Sequence, residues 1–213
     1  MPIFFQQTID GTSKLGVWKI EEEEDFFLQK VMPQRYVTHP HKKLQHLAGR
    51  YLLGFLYPDF PVSLIQIADT RKPFLQNEAY HFSISHCGDY AAAIVSRDSR
   101  VGIDIEISTE KIKKIEHKFL HEEERMMINK SGSNRTELLT LMWCCKESMF
   151  KWWGKGNVDF SEMLRVSGPG NQSEGIMQGN FIKSDLNIIF PLQYKFFPEL
   201  ILTWVATKPE LNH

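Results

Sequence analysis

The chain has 213 residues, of which 42% are hydrophobic and 24% charged, and its formal net charge is −1. This is ordinary for a globular chain large enough for one or two cores. A charge so near zero excludes a protein drawn to nucleic acid or an anionic membrane by its overall field, so any basic site has to be local.

In chain order, residues 1–20 alternate loosely, and GVWKI at 16–20 reads as a strand. Glu21–Asp25 is an acidic run that suits the start of a short helix or a solvated face. HPHKKLQHLAGRYLLGFL at 39–56 reads as a long amphipathic helix with Leu44, Ala48, Tyr51, Leu52 and Phe55 on its apolar side; Pro58 and Pro61 end it. Lys43, His46 and Arg50 share the other side, as a wet face or as an anion site. Tyr80–Ser85, Tyr90–Ser96 and Val101–Ile107 are β segments separated by HCGD and RDSR, so an antiparallel meander is expected. Residues 110–130 suggest one or two surface helices. Asn134 with Glu137 offers a capping box for a helix from Arg135 to about Trp153, stopped by Gly154 or Gly156. FSEMLRVS, GNFIKS and LILTWVAT read as strands, and Gly168–Gly179 as a polar turn region. The order permits a twofold repeat with its seam near residue 100.

No run approaches the ~18–20 apolar residues of a membrane span. MPIFFQQTIDGTSK lacks the pattern of a secretory leader. Cys87, Cys144 and Cys145 are odd in number, two are adjacent, and none has zinc spacing, so a reducing cytosol is expected rather than a disulfide framework.

The chemistry concentrates in three places. In VGIDIE, Asp104 and Glu106 share one side of a strand, roughly 6–7 Å apart, while Ile103, Ile105 and Ile107 share the other. Such a pair either splays into water or holds a hard divalent cation such as Mg²⁺. On the helix 135–153, Met142, Cys145, Met149 and Trp153 form the packing stripe, and Trp143, Glu147 and Lys151 line a different face. Glu147 and Lys151 there are either an i,i+4 ion pair or, among so many aromatics, a third carboxylate and a cation for a site. SISHCG gives Ser85 and His86 before Gly88, a turn able to hold a phosphate, and TRKPF places two cations before a proline.

RKPFLQNEAYHFSISHCGDYAAAIVS, VGIDIE and WCCKESMFK, in that order and spacing over residues 71–151, together resemble the 4′-phosphopantetheinyl transferases of the larger, surfactin-synthetase-activating type. The resemblance implies an α+β pseudo-twofold fold with two subdomains, 1–100 carrying coenzyme A-binding elements and 101–213 the metal-binding carboxylates and catalytic helix. Each half is expected to be a helix packed on a small, mostly antiparallel sheet, with coenzyme A in the cleft between them. The implied activity moves the 4′-phosphopantetheine arm of coenzyme A onto a serine of an apo acyl or peptidyl carrier protein, releasing adenosine 3′,5′-bisphosphate. By similarity, Asp104, Glu106 and Glu147 hold Mg²⁺; Glu147 is the candidate base; Lys151 sits beside the diphosphate. Ser85 and His86 contact phosphate, Arg71, Lys72 and Pro73 lie against the adenine, and Arg50 pairs with the 3′-phosphate, helped by Arg35, Lys42 or Lys43. The family often has Gly-Lys-Pro where this chain has Arg71-Lys72-Pro73, Ser where it has Cys87, and Ser or Thr where it has Cys144 and Cys145. A cytoplasmic monomer is expected.

Lys111, Lys113, Lys114, Lys118 and Arg125, beside Ile112 and Phe119 read as exposed, either help dock an acidic carrier or pair with their own glutamates. Two competing classes are a metal-dependent nuclease, disfavoured by the near-neutral charge, and a non-catalytic coenzyme A-binding paralogue, which has no need of a base.

Overall fold

The structure, a computed structural model, describes residues 3–32, 37–132 and 134–208. The chain has an α+β fold and divides into two compact units, Met1–Val101 and Gly102–His213.

The first unit runs β1 (Ile3–Thr8), β2 (Ser13–Lys19), α1 (Glu24–Leu28), α2 (Pro40–Leu56), β3 (Gln66–Ile67), β4 (Pro73–Phe74), β5 (His81–Cys87) and β6 (Tyr90–Ser96). Its main sheet is antiparallel in the order β1-β2-β6-β5, and β3 and β4 make a separate two-stranded ribbon. Helix α2 starts with Pro40 at its first turn, where a missing N–H costs nothing, and stops at Tyr57 just before Pro58. It packs on β6, whose Ala91 and Ala93 leave room for Leu47, Ala48 and Leu52. Gly49 makes the closest approach; a Cβ there would lie 2.6 Å from the Ile84 Cγ2.

That approach rotates the buried face from the expected stripe. Leu47, Ala48, Leu52, Leu53 and Leu56 are buried, whereas Phe55 is 40% exposed and stacks edge-on against Trp18 at 5.5 Å. Arg50 is buried rather than wet.

The second unit holds β7 (Arg100–Glu106, begun by the last two residues of the first), α3 (Glu122–Lys130), α4 (Arg135–Trp153), β8 (Leu164–Ser167), β9 (Glu174–Lys183), β10 (Leu186–Phe196) and β11 (Ile201–Thr207). Its sheet order is β7-β11-β10-β9-β8. The expected three-strand meander is therefore corrected: β5 and β6 form a hairpin, but β7 joins the other sheet. The free side of β6 is already taken by β2, from Ser13 opposite Ser96 to Lys19 opposite Tyr90.

Two further corrections concern the last third. The chain from Glu174 to Gly179 belongs to β9 rather than to a turn region, and β10 is a full strand that the sequence reading passes over. They are joined at Ser184 and Asp185, with Ser184 at φ +51°.

Helix α4 has the expected bounds. The Asn134 side chain accepts from the Thr136 and Glu137 amides at 3.1 and 3.5 Å, and Gly154 closes the helix in the left-handed region at φ +71°. A reciprocal capping box is formed instead at α3, between His121 and Glu124. Met142, Cys145, Met149 and Trp153 are buried as expected, while Trp143, Glu147 and Lys151 lie on the half-buried face.

Ile112 and Phe119 are buried in this unit's core, not exposed. Ile112 sits on a 3₁₀ turn (Glu110–Lys114) and Phe119 just after another (Glu116–Lys118), with Ile115 between them packed against the same core.

Gly102 sets how closely β7 meets α4. A Cβ there would lie 2.0 Å from the Ser148 carbonyl oxygen and 2.8 Å from the Trp152 amide nitrogen. Both obstacles are helix backbone, which cannot yield. Gly102→Ala is expected to cost at least about 3 kcal/mol of stability. Urea unfolding checks it, and a loss under about 1 kcal/mol would contradict so close an approach.

Candidate functional site

The second unit gathers four charged side chains on two elements. β7 presents Asp104 and Glu106 on one side, with Ile103 and Ile105 buried on the other. Helix α4 presents Glu147 and Lys151, one turn apart. Lys151 Nζ donates to Asp104 Oδ1 at 2.6 Å; the Asp104 side chain is only 4% exposed. The ion pair Lys151 makes is thus with the strand, where the sequence left a pair with Glu147 open. Burial opposes the charge of Lys151, but Asp104 and then Glu147 outweigh it and hold the ammonium above its ordinary range.

Glu147 has the opposite balance. Burial, then the charge of Asp104, pushes its carboxyl up to about 7; Lys151 pulls it back and Glu106 adds to the rise. A carboxyl poised there can take up or release a proton near neutral pH. Both strand carboxylates act on Glu147 electrostatically.

The Trp143 indole Nε1 donates to Glu106 Oε1 at 3.1 Å. Cys144 and Cys145 are buried, and burial pushes both thiols well up, so they are packing groups and not nucleophiles. Lys146 is also removed from the chemistry. It is fully buried and spends its three N–H groups on the Phe119 carbonyl at 2.6 Å, Glu124 at 2.6 Å and the Phe160 carbonyl at 2.9 Å.

Three carboxylates are hard oxygen donors, and the like-charge push on Glu147 is what a cation would relieve. Among the described residues, no three His, Cys, Asp or Glu side chains form a group that could hold a metal ion. The donor set suits an ion such as Mg²⁺ that takes one or two carboxylates and fills its shell from water and a substrate's phosphates.

The first unit carries the other candidates. Arg50 is buried beside His46, its Nη1 lying 3.0 Å from the His46 Nδ1, and it lines a pocket of about 670 Å³ with Lys30, Tyr51 and Phe55. Lys43 is paired with Glu24 at 2.5 Å, Lys42 is exposed, and Arg35 lies outside the described residues. Arg71 is exposed and holds φ at +66° in a turn closed by its amide on the Ala68 carbonyl at 2.8 Å. Lys72 is pushed down to about 8 by burial, then by the charge of Arg100, a neighbour the sequence reading passes over. Pro73 opens β4. Ser85 and His86 do not point the same way. Ser85 is buried, while His86 is exposed on the side of β5 that, at Ile84, meets Gly49 of α2. The hairpin after them turns at Gly88, φ +53°, and its carbonyl accepts from Gln45 Nε2 at 2.8 Å.

Residues 100–191 match the profile of the 4′-phosphopantetheinyl transferase superfamily. The chain is 32% identical over 151 residues to enterobactin synthase component D of Salmonella typhi, covering 70% of this chain and 60% of that protein. It is 34% identical over 113 residues to the protein of that name from Escherichia coli (strain K12), covering 52% and 54%. It is 36% identical over 111 residues to the 4′-phosphopantetheinyl transferase gsp of Aneurinibacillus migulanus, covering 52% and 46%. The chain thus spans about half to three fifths of these relatives' length. Residues 100–191, the stretch that carries Asp104, Glu106, Glu147 and Lys151, thus match a domain of the 4′-phosphopantetheinyl transferase superfamily.

Proposed function

We propose that this protein transfers the 4′-phosphopantetheine arm of coenzyme A to a serine of an apo acyl or peptidyl carrier protein, with Mg²⁺, releasing adenosine 3′,5′-bisphosphate. The observation that carries this reading is the Lys151 ion pair with the buried Asp104 at 2.6 Å, one helical turn from Glu147, inside the stretch that the transferase profile matches.

A serine hydroxyl is a poor nucleophile until a base takes its proton. Glu147 is that base: raised as it is, it accepts a proton near neutral pH without binding it irreversibly. Attack on the diphosphate builds negative charge on phosphoryl oxygens and on the leaving bisphosphate. Lys151, kept cationic by Asp104, stands one turn of helix from the base to balance it. Asp104, Glu106 and Glu147 would hold Mg²⁺, which when bound supplies the positive charge that clamps the diphosphate oxygens. Glu147 cannot be fully committed to both tasks at once. On the first unit, Arg50, Arg71, Lys72, Pro73, Ser85 and His86 are assigned to coenzyme A, with Lys42 and Lys43 as further candidates for the 3′-phosphate. His86 and Arg71 are exposed, and Ser85 contributes only if its buried hydroxyl is reached.

The carrier is read from the exposed cations Lys111, Lys113, Lys114 and Lys118. They retain the charge that suits an acidic partner, although Ile112 and Phe119 no longer serve as apolar contacts. Lys113 is paired with Glu110 at 2.7 Å, an exposed pair that a partner can displace at little cost. The reading further implies a monomer in a reducing cytosol, which the three free thiols suit. No helix among the described residues is long and apolar enough to cross a membrane.

Incubation with coenzyme A, Mg²⁺ and a panel of apo carriers should add the mass of one phosphopantetheine arm to at least one carrier. Tight coenzyme A binding with no mass gain on any carrier would favour a non-catalytic binder. Glu147→Gln should lower transfer by about 100-fold or more, and Asp104→Ala should raise the Mg²⁺ requirement or abolish transfer; near-normal turnover in either contradicts the site. Reversing the charge of both Lys113 and Lys114 should raise the carrier KM about 5-fold and leave the coenzyme A KM unchanged; an unmoved carrier KM removes the docking role.

Glu147→Gln has a second expected effect, on stability. A carboxyl whose folded pKa is raised favours folding in its protonated form, so the native state loses stability as pH climbs from the ordinary carboxylate range through about 7. Gln carries no such penalty. With chelator present, the Tm of the variant should exceed that of the native protein at about pH 8, and the gap should close near pH 5. Parallel Tm curves across that range would contradict the raised carboxyl.

A further inference from the structure

We infer that Trp143 is a positioning residue for Glu106, fixing the carboxylate that the proposed site uses to hold its cation. The inference rests on the transferase reading above.

An indole has a single N–H donor and no acceptor, and the Trp143 donor is directed at Glu106 Oε1, 3.1 Å away. The ring itself is held on two sides. Phe119, fully buried, meets it edge-on at 5.3 Å, and Phe160 stacks on it at 5.4 Å with 26° between the planes. Phe160 is in turn packed against Phe150 of the same helix at 5.5 Å. With only two side-chain torsions, a ring so wedged presents its N–H in one place.

Glu106 needs such a hold. It is the last residue of β7, and its longer side chain has one more torsion than Asp104, which is pinned by Lys151. Beside it opens a pocket of about 250 Å³ lined by Glu106, Trp143, Ile107, Thr109, Ile112 and Thr140 among others. The indole donor fixes Oε1 of Glu106 at the edge of that pocket. Trp143 is also one turn before Glu147 on α4. One helix therefore carries the base and sets the direction of a carboxylate on the neighbouring strand.

The probe is Mn²⁺, titrated in the presence of coenzyme A with free Mn²⁺ read by electron paramagnetic resonance, so that binding is measured apart from turnover. Trp143→Phe keeps a ring in the aromatic cage and removes the donor. It should weaken Mn²⁺ affinity about 10-fold with little change in Tm, and it should have no further effect in a Glu106→Ala background. Native affinity in Trp143→Phe, or an equal loss in the Glu106→Ala background, overturns the inference. If the unaltered protein binds Mn²⁺ and modifies a carrier while Trp143→Phe does both equally well, only this inference falls. If the unaltered protein does neither, the transferase reading falls and takes this one with it. Should Trp143→Phe fail to fold, the indole N–H resonance of Trp143 in the unaltered, ¹⁵N-labelled protein replaces it: the resonance should shift when Mg²⁺ is added with coenzyme A, and one that stays put overturns the inference.

Discussion

At Gly102 the backbone of β7 comes so near α4 that a single added carbon would lie 2.0 Å from the Ser148 carbonyl. The approach is reinforced on the next strand. Ser148 Oγ donates to the Thr203 carbonyl at 3.1 Å, and Thr203 Oγ1 donates to the Cys144 carbonyl at 2.9 Å, tying the helix to β11 by polar bonds inside an apolar core. Two residues beyond Gly102, Asp104 is thereby delivered to Lys151, and two further on, Glu106 to Trp143. A wider spacing between strand and helix would lose both contacts. The glycine in VGIDIE is thus as much a part of the site as the two acids that follow it.

The same closeness accounts for the electrostatics. Asp104 is held by a direct ion pair with Lys151, while the half-buried Glu147 is pushed up by burial and by the charge of Asp104, with only a longer-range cation to offset them. The two lysines of α4 show how position on one helix divides labour. Lys146 is saturated by two carbonyls and Glu124, and Glu124 also accepts from the Val166 amide at 2.8 Å, so this pair bolts α3, α4 and β8 together. Lys151, five residues on, is only partly covered and faces the acids. A buried pair of the first kind is costly to break and cannot be spent on a ligand.

How much of this the sequence discloses depends on how local the signal is. The bounds of α4 are legible because the cap, the apolar stripe and the terminal glycine all agree over one continuous stretch. The acidic pair and the Glu147–Lys151 face are legible because strand and helix periods place them without any tertiary knowledge. β10 is not: Pro191 lies within it, opposite Gln178, although a proline usually argues against a strand paired on both sides. Its tolerance follows from where the next strand stops: β11 pairs only with Gln193–Phe196, so at Pro191 the strand has a neighbour on the β9 side alone. The departure of β7 to the other sheet is equally hidden, because it is decided by β2 occupying an edge some eighty residues away. Ile112 and Phe119 mislead for a related reason: a lysine-rich stretch looks solvated, and the core residues that cover its apolar side chains come from elsewhere in the chain. The indole bond to Glu106 and the nearness of Arg100 to Lys72 leave no local trace, since each joins residues far apart along the chain.

Arg71 shows how a departure from a family pattern can keep the geometry the pattern encodes. The resemblance puts glycine where this chain has Arg71, and the backbone there indeed takes φ of +66°, the left-handed region that glycine enters freely and other residues enter at about 1–2 kcal/mol. The turn is preserved by its own bonds, the Arg71 amide on the Ala68 carbonyl and the Ala68 amide on the Lys72 carbonyl at 2.9 Å. What changes is the side chain: an exposed guanidinium now stands beside a lysine that burial and Arg100 already hold down to about 8. A strained conformation retained with a bulkier, charged residue fits a site where an added cation has a use, because strain of this size persists where surrounding contacts or function hold it in place. The backbone conformation and the charge are therefore separate features of one position: a left-handed turn that any residue there must adopt, and an exposed guanidinium that the turn does not require.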